Sequence, residues 1–246
     1  MMKSNSISQA EKTLLSVSNV KKVYKDFTLG EISFDLPEGY ILGLIGKNGA
    51  GKTTLMNCII GATGYKGIIS VEGVVNTAHK RAATEKIGFI VDEAPFLRKK
   101  TLGENGEILG ALYDNWDENK FYEYLKKFDL HYDTDYETLS KGMETKFQLA
   151  FAMSHDAKLY LFDEPTAGLD PVVRSELLDM LQEIVMEDEV SVLFSTHITT
   201  DLERIADYIT FINDGEIIFT GEKEDLMENY VIVKGSNDLL DREGKE

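Results

Sequence analysis

Cysteine, proline, tryptophan and positive charge are all scarce in this chain of 246 residues. The single cysteine, Cys58, excludes an internal disulfide framework and fits a reducing compartment. Four prolines and the lack of any low-complexity or Pro/Gly-rich stretch leave no obvious linker between independent domains. No apolar run is long enough to cross a bilayer as a helix. Met1 to Lys12 is polar and lacks the apolar centre of a secretory signal. Lys and Arg number 26 against 43 Asp and Glu, a formal charge of −17. A chain this acidic lacks the clustered cations that broad phosphate-backbone contact requires, so no nucleic-acid partner is expected. The excess acid suits solubility, and an acidic face would also suit the Lys/Arg-rich cytoplasmic loops of a membrane protein.

The remaining composition, 43% hydrophobic and 28% charged, is that of one sizeable globular α/β domain. Tyr40–Ile45, Lys86–Val91, Leu159–Phe162 and Ser191–Ser195 are short and nearly all apolar, as strands covered on both faces must be. Leu14–Val20 and Thr28–Leu36 read as strands around a tight stretch at Lys25-Asp26. Tyr208–Ile212 and Glu216–Thr220 flank Asn213-Asp214-Gly215, a hairpin signal. Between strands lie helical patterns. Glu176–Met186 carries one apolar face, Asp117 caps Glu118–Phe128, and Ser140 caps a helix whose stripe is Met143, Phe147, Ala150 and Phe151. This alternation predicts a mainly parallel sheet with helices on both faces. From Ala94 to Asp156 the reading is helical without a clear strand, an inserted helical subdomain.

Gly46-Lys47-Asn48-Gly49-Ala50-Gly51-Lys52-Thr53 fits G-x-x-x-x-G-K-[ST]. Its glycines allow a loop whose successive N–H groups point inward and wrap a phosphate at the positive end of the next helix. Lys52 is placed to reach the β- and γ-phosphates, and the Thr53 hydroxyl to bind Mg²⁺. The motif follows an apolar strand and opens the helical stretch Thr54–Ile60, the setting it requires. The strand Leu159–Phe162 runs into Asp163-Glu164, which puts two carboxylates at the sheet rim. Asp163 is the natural Mg²⁺ partner and Glu164 the base for an attacking water. His197, just past the strand Ser191–Ser195, is placed to contact a γ-phosphate. His79, His131 and His155 read as structural.

Taken together these residues resemble the ABC ATPase family, over about Leu15 to Met227. Leu139-Ser140-Lys141-Gly142-Met143 stands where that family carries Leu-Ser-Gly-Gly-Gln, Ala167-Gly168-Leu169-Asp170 resembles its D-loop, His197 matches its switch histidine, and Tyr24 stands where an aromatic residue stacks on adenine. The resemblance implies a P-loop NTPase (RecA-like) core over residues 1–93 and 157–227, with an antiparallel β subdomain, a helical signature subdomain over 94–156 and a tail over 228–246. It implies ATP and Mg²⁺ as cofactors, held by Tyr24, Gly46, Asn48, Gly49, Gly51, Lys52, Thr53, Thr54, Asp163 and Asp92. It also implies that Ser140 and Gly142 of one subunit complete the partner's site. The partners are then a second ATPase subunit, the same or a different chain, and separate integral membrane permease subunits. The location is peripheral, on the cytoplasmic face of the membrane.

Two departures stand out. Lys141 and Met143 replace signature glycine and glutamine, and Asp92-Glu93 stands where glutamine is expected after the strand Lys86–Val91. A lysine at a glycine position predicts strained backbone angles. Both changes resemble bacitracin-type and antimicrobial-peptide exporters. Two other readings remain: an ABC-type ATPase without a membrane partner, and a regulatory half of a heterodimer that does not hydrolyse ATP. The tail segment Tyr230–Val233 could add a short strand.

Overall fold

A computed structural model describes residues 12–76, 81–91, 95–188 and 190–229. Asp92, Glu93, His79 and Tyr230–Val233 lie outside the described residues. The chain opens with β1 (Thr13–Val23) and β2 (Thr28–Pro37), an antiparallel pair closed by the Tyr24 N–H donating to the Phe27 carbonyl at 2.8 Å. β3 (Ile41–Ile45) leads into α1 (Lys52–Ile59), then β4 (Lys66–Val71), β5 (Val74–Val75), α2 (Arg81–Thr84) and β6 (Ile87–Ile90). α3 (Leu102–Gly110), α4 (Glu118–Lys127), a 3-10 turn at Tyr136–Thr138 and α5 (Lys141–Met153) follow without a strand among the described residues. β7 (Leu159–Asp163), α6 (Pro171–Asp188), β8 (Ser191–Thr196), α7 (Thr199–Ile205), β9 (Tyr208–Asn213), β10 (Glu216–Glu222) and α8 (Lys223–Asn229) complete the order.

Two sheets result. One is antiparallel, in the order β2-β1-β4-β5, and the other runs β10-β9-β3-β8-β7-β6. In the second, every pairing except β9–β10 is parallel. The fold is therefore α/β, with an antiparallel β layer beside the parallel core and a helical insert. β8 is buried at all six positions, which is why its sequence shows no polar alternation. β4 and β5 have no counterpart among the predicted strands. β4 begins Lys66-Gly67-Ile68 on exposed positions, so the alternation that marks a half-buried strand is absent from its first half. One core gathers β3, α1 and the antiparallel sheet; a second gathers α5, the inner face of α6 and the aromatic residues of the insert.

The insert is held by rings seated on glycines. A Cβ at Gly103, Gly106 or Gly110 of α3 would fall 2.0 Å from Tyr132, 2.2 Å from Phe121 and 2.3 Å from Trp116. These glycines follow a spacing of three and four, one helix face. They allow Trp116 and Phe121 to reach Phe151, with ring centroids at 4.8 and 6.3 Å. Thr101 caps α3 with a capping box to Glu104, and Asp117 caps α4 through Asn119 and Lys120, as its sequence predicts.

α5 corrects the expected stripe. Ser140 is its N-cap, but Met143 is exposed at 36%, and Phe147 to Met153 are buried on every side because α5 lies between β6, α3 and α4. The strain expected at Lys141 is also absent. Lys141 is the first residue of α5 and has no positive φ, so its backbone angles suit any residue. Glycine is needed one position on. A Cβ at Gly142 would meet Val173 of α6 at 2.7 Å.

Candidate functional site

β3, β7 and β8 are adjacent and parallel, so their carboxyl ends open onto one rim. Ile45 and Thr196 pair across β3 and β8, and Asp163 pairs with Ser195 across β7 and β8. The loop after β3, the acid pair after β7 and His197 after β8 therefore converge.

The loop after β3 needs its glycines for two physical reasons. Gly49 and Gly51 have φ of +82° and +113°, and a Cβ at Gly46 would fall 2.4 Å from the Ile212 carbonyl oxygen of β9. The Gly215 N–H donates to the Ala50 carbonyl at 2.9 Å, which pins the loop to the β9–β10 turn. α1 begins at Lys52, two residues before its expected start, so the free N–H groups of its first turn face the loop. Lys52 is 6% exposed and folds back so that Nζ donates to the Gly46 carbonyl at 2.8 Å.

The acid pair diverges sharply. The Asp163 carboxylate accepts from the Thr53 hydroxyl at 2.7 Å through Oδ2 and from the Ser195 hydroxyl at 2.6 Å through Oδ1. Glu164 has a φ of +52°, a left-handed conformation that a non-glycine residue holds only against a cost of order 1–3 kcal/mol. Its N–H donates to Ser195, which offers both its carbonyl and its hydroxyl at 3.2 Å. That reversal turns the side chain back over the loop. Oε2 accepts from His197 Nδ1 at 2.8 Å, and Oε1 makes an ion pair with Lys52 Nζ at 3.0 Å. Because a carboxylate oxygen only accepts, the proton of that histidine contact sits on Nδ1.

Beside this cluster opens a cavity of about 570 Å³ lined by Tyr24, Phe27, Asn48, Gly49, Thr53 and Thr54, with Lys52 and Glu164 at its floor. One face of the Tyr24 ring carries Lys22 Nζ at 5.0 Å. Phe27 is half-buried and lies 2.9 Å from where a Gly51 Cβ would stand. An aromatic wall, a cationic floor and a loop of inward amides fit a nucleotide. Among the described residues no three His, Cys, Asp or Glu side chains gather as a metal cluster. The donors that fit Mg²⁺ are Thr53 Oγ1 and the Asp163 carboxylate, the sparse set usual for an ion whose other ligands are phosphates and water.

The structure thus brings together Gly46, Gly49, Gly51, Lys52, Thr53, Asp163, Glu164 and His197, and puts Tyr24, Asn48 and Thr54 on the cavity wall. Ser140 and Gly142 lie at the start of α5, outside this wall. Three contributors were not singled out from sequence. Phe27 belongs to no motif and stands between the tight stretch Lys25-Asp26 and the strand that starts at Thr28. Ser195 lies within an all-buried strand, and only the β7–β8 register shows that it faces Asp163. Asp201 is 1% exposed, accepts from Thr166 Oγ1 at 2.8 Å and from Arg174 Nε at 2.6 Å, and ties the turn after β7 and α6 to α7. A lone Asp in a helical pattern carries no sign of this.

A family model described as "ABC transporter" matches residues 29–167, more than half of the chain. The chain is 31% identical over 229 residues to the "Lantibiotic transport ATP-binding protein SrtF" of Streptococcus pyogenes, covering 89% of this chain and 98% of SrtF. It is 30% identical over 212 residues to the "Bacitracin transport ATP-binding protein BcrA" of Enterococcus faecalis, covering 83% of this chain and 68% of BcrA. For several other curated relatives it spans 65% to 70% of their length. A solved "ATP binding subunit of ABC transporter" superposes with a TM-score of 0.78 at 28% identity, covering 88% of this chain and 92% of that one. The P-loop, the acid pair, the architecture and these likenesses agree: the chain belongs to the ABC transporter family, as an ATP-binding and ATP-hydrolysing subunit with the P-loop NTPase fold.

Proposed function

We propose that this chain is the motor of an exporter of the antimicrobial-peptide type, coupling ATP hydrolysis in a closed dimer to movement of substrate by separate membrane subunits. The single observation that carries the catalytic part is the position of Glu164, held over the phosphate loop by Lys52 and His197. The names of SrtF and BcrA support the substrate class.

In this reading the loop Gly46–Lys52 grips the β- and γ-phosphates, and Tyr24 stacks on the adenine face opposite Lys22. Thr53 and Asp163 would hold Mg²⁺, which when bound would supply neutralising charge to the phosphates. Glu164 takes the proton of the attacking water, and His197 keeps the Glu164 carboxylate aimed. Ser140, the N-cap of α5, together with Gly142, faces the γ-phosphate bound by the partner subunit. Closing the dimer supplies the orientation that a single subunit lacks.

Among the described residues no helix is long and apolar enough to cross a membrane, and in this reading separate membrane subunits carry the substrate path. Their docking place is the apolar groove between core and insert, about 270 Å³, lined in part by Phe89, Phe96, Leu112 and Tyr113. The chain then sits peripherally on the cytoplasmic face. The test is co-purification of the chain with its membrane partner and measurement of MgATP-dependent peptide movement in vesicles. Turnover without movement of any peptide would remove the exporter reading, and co-purification with a periplasmic binding protein would make it an importer.

A further inference from the structure

Gln148 is 4% exposed, deep in α5. Its amide spans both backbone groups of one residue: Oε1 accepts from the Val91 N–H at 2.9 Å, and Nε2 donates to the Val91 carbonyl at 2.9 Å. Val91 immediately follows β6, the edge strand of the parallel sheet. Gln148 thus occupies the place of a further paired residue and consumes what the strand end would offer to any other partner. The contact is reinforced one turn along. Ala152 lies four residues on, the same helix face, and a Cβ at Gly88 of β6 would stand 2.8 Å from the Ala152 Cβ.

The same device recurs where the chain emerges into the insert. Asn105 of α3 is fully buried, accepts from the Leu97 N–H at 2.7 Å and donates to the Leu97 carbonyl at 3.1 Å. Both ends of the crossing from core to insert are therefore gripped by a buried amide of the insert. Buried amides with all groups paired fix geometry, because any other arrangement strands a polar group.

The direction of this grip matters. By the β6–β7 register, Ile90 pairs with Phe162, so Val91 stands beside Asp163 at the rim. The cleft there has Lys141, Glu144 and Gln148 on one wall and Asp163 and Glu164 on the other. Gln148 lies eight residues along α5 from its N-cap Ser140, about 12 Å by helix rise.

We infer that Gln148 is a positioning residue for ATP hydrolysis: its two hydrogen bonds to Val91 fix the angle between α5, which presents Ser140 to the partner's nucleotide, and the rim that carries Asp163 and Glu164. The inference rests on the dimer reading given above. An apolar side chain of the same length would fill the space and leave the angle unfixed.

The test uses the full chain and two substitutions. Gln148→Met keeps volume and removes both hydrogen bonds. Gln148→Glu keeps the acceptor, but its ionised carboxylate faces the Val91 carbonyl; protonation restores the donor, and burial raises the pH at which that happens. Gln148→Met is expected to lower kcat about tenfold or more while KM for MgATP stays within about threefold. It should also speed hydrogen exchange at the Val91 amide about tenfold or more without added nucleotide. For Gln148→Glu, turnover relative to the parent should recover as pH falls from about 8 to about 6. Parent-like kcat together with unchanged Val91 exchange in Gln148→Met overturns the inference. If Gln148→Met does not fold, a flat pH ratio for Gln148→Glu overturns it by itself. A parent chain without MgATP turnover would sink the functional reading instead; a turning-over parent with indifferent variants sinks this inference alone.

Discussion

Lys52 Nζ and Glu164 Oε1 stand 3.0 Å apart, so the cation proposed to bind phosphate and the carboxylate proposed as base hold each other. Oε1 has no hydrogen bond of good angular geometry in this contact, and Lys52 directs its bonded protons to the Gly46 and Lys47 carbonyls. In the proposed mechanism a γ-phosphate competing for Lys52 releases the carboxylate toward water. Binding and base activation are thereby linked through one ion pair.

Glu164→Gln weakens that competition, since a neutral amide does not pair with Lys52 as an ion. ATP affinity should stay equal or tighten, and turnover should fall about 10²-fold or more. Calorimetry with phosphate release checks both halves. Parental turnover in this variant would show that another group is the base.

Lys52→Ala removes the buried cation from the loop. ATP binding should weaken by about 10- to 100-fold, as for loss of a charge-assisted contact. The measurement is nucleotide titration, and unchanged affinity would refute the role of the loop.

Asp201→Ala takes away the acceptor shared by Thr166 and Arg174. The expected loss of stability is about 3 kcal/mol, at the lower end for a broken buried pair because the Arg174 side chain is 27% exposed. Urea unfolding reads it directly. Because Asp201 joins α6 and the turn after β7 to α7, beside the acid pair, turnover should fall in the folded variant too.

Gly106→Ala should destabilise the insert even though alanine favours helix. The Cβ would fall 2.2 Å from Phe121 Cε1, overpacking that costs about 1–3 kcal/mol against about 1 kcal/mol of helix gain. Gly64→Ala is the control, since open space surrounds that position. Equal midpoints for the two variants in thermal melts would contradict the ring-on-glycine account.

His155 gives the fold an acid limit. Burial lowers its pKa below the ordinary value of 6.5, partly offset by its bond to the Glu85 carbonyl at 3.2 Å, and its ring stacks on Tyr113 at 4.1 Å. The unfolded chain takes up a proton near pH 6.5 that the folded chain refuses, so stability falls as pH drops below about 6.5. The slope from this group is at most about 1.4 kcal/mol per pH unit. His155→Phe keeps the stack and should flatten the loss of stability just below about pH 6.5. An unchanged acid limb would assign the loss to other groups.

Much of the site was legible because its chemistry is written in adjacent residues. Gly46 to Thr53 form one loop of backbone amides, so spacing along the chain is spacing in the loop. Asp163 and Glu164 follow an apolar strand, and such strands end at the rim. Met143 and Lys141 were misread for one reason each. The first half of α5 leaves Met143 exposed while its second half is buried all round, which a single stripe cannot express. Lys141 sits at a helix start, where no glycine angles are needed, whereas Gly142 is required by the approach of Val173 from a different helix.

The sequence by itself determined the phosphate loop, the parallel core and the helical insert, since each depends on local backbone freedom or on the period of buried side chains. Tertiary structure decided what lies across from what. Ser195 reaches Asp163 through strand register, Lys52 meets Glu164 because the backbone reverses at φ +52°, and Gln148 grips Val91 across a helix–strand contact. These pairs are separated by 32, 112 and 57 residues. Periodicity within one segment cannot specify the register or packing angle between two, because those are set by the shared core that both must fill.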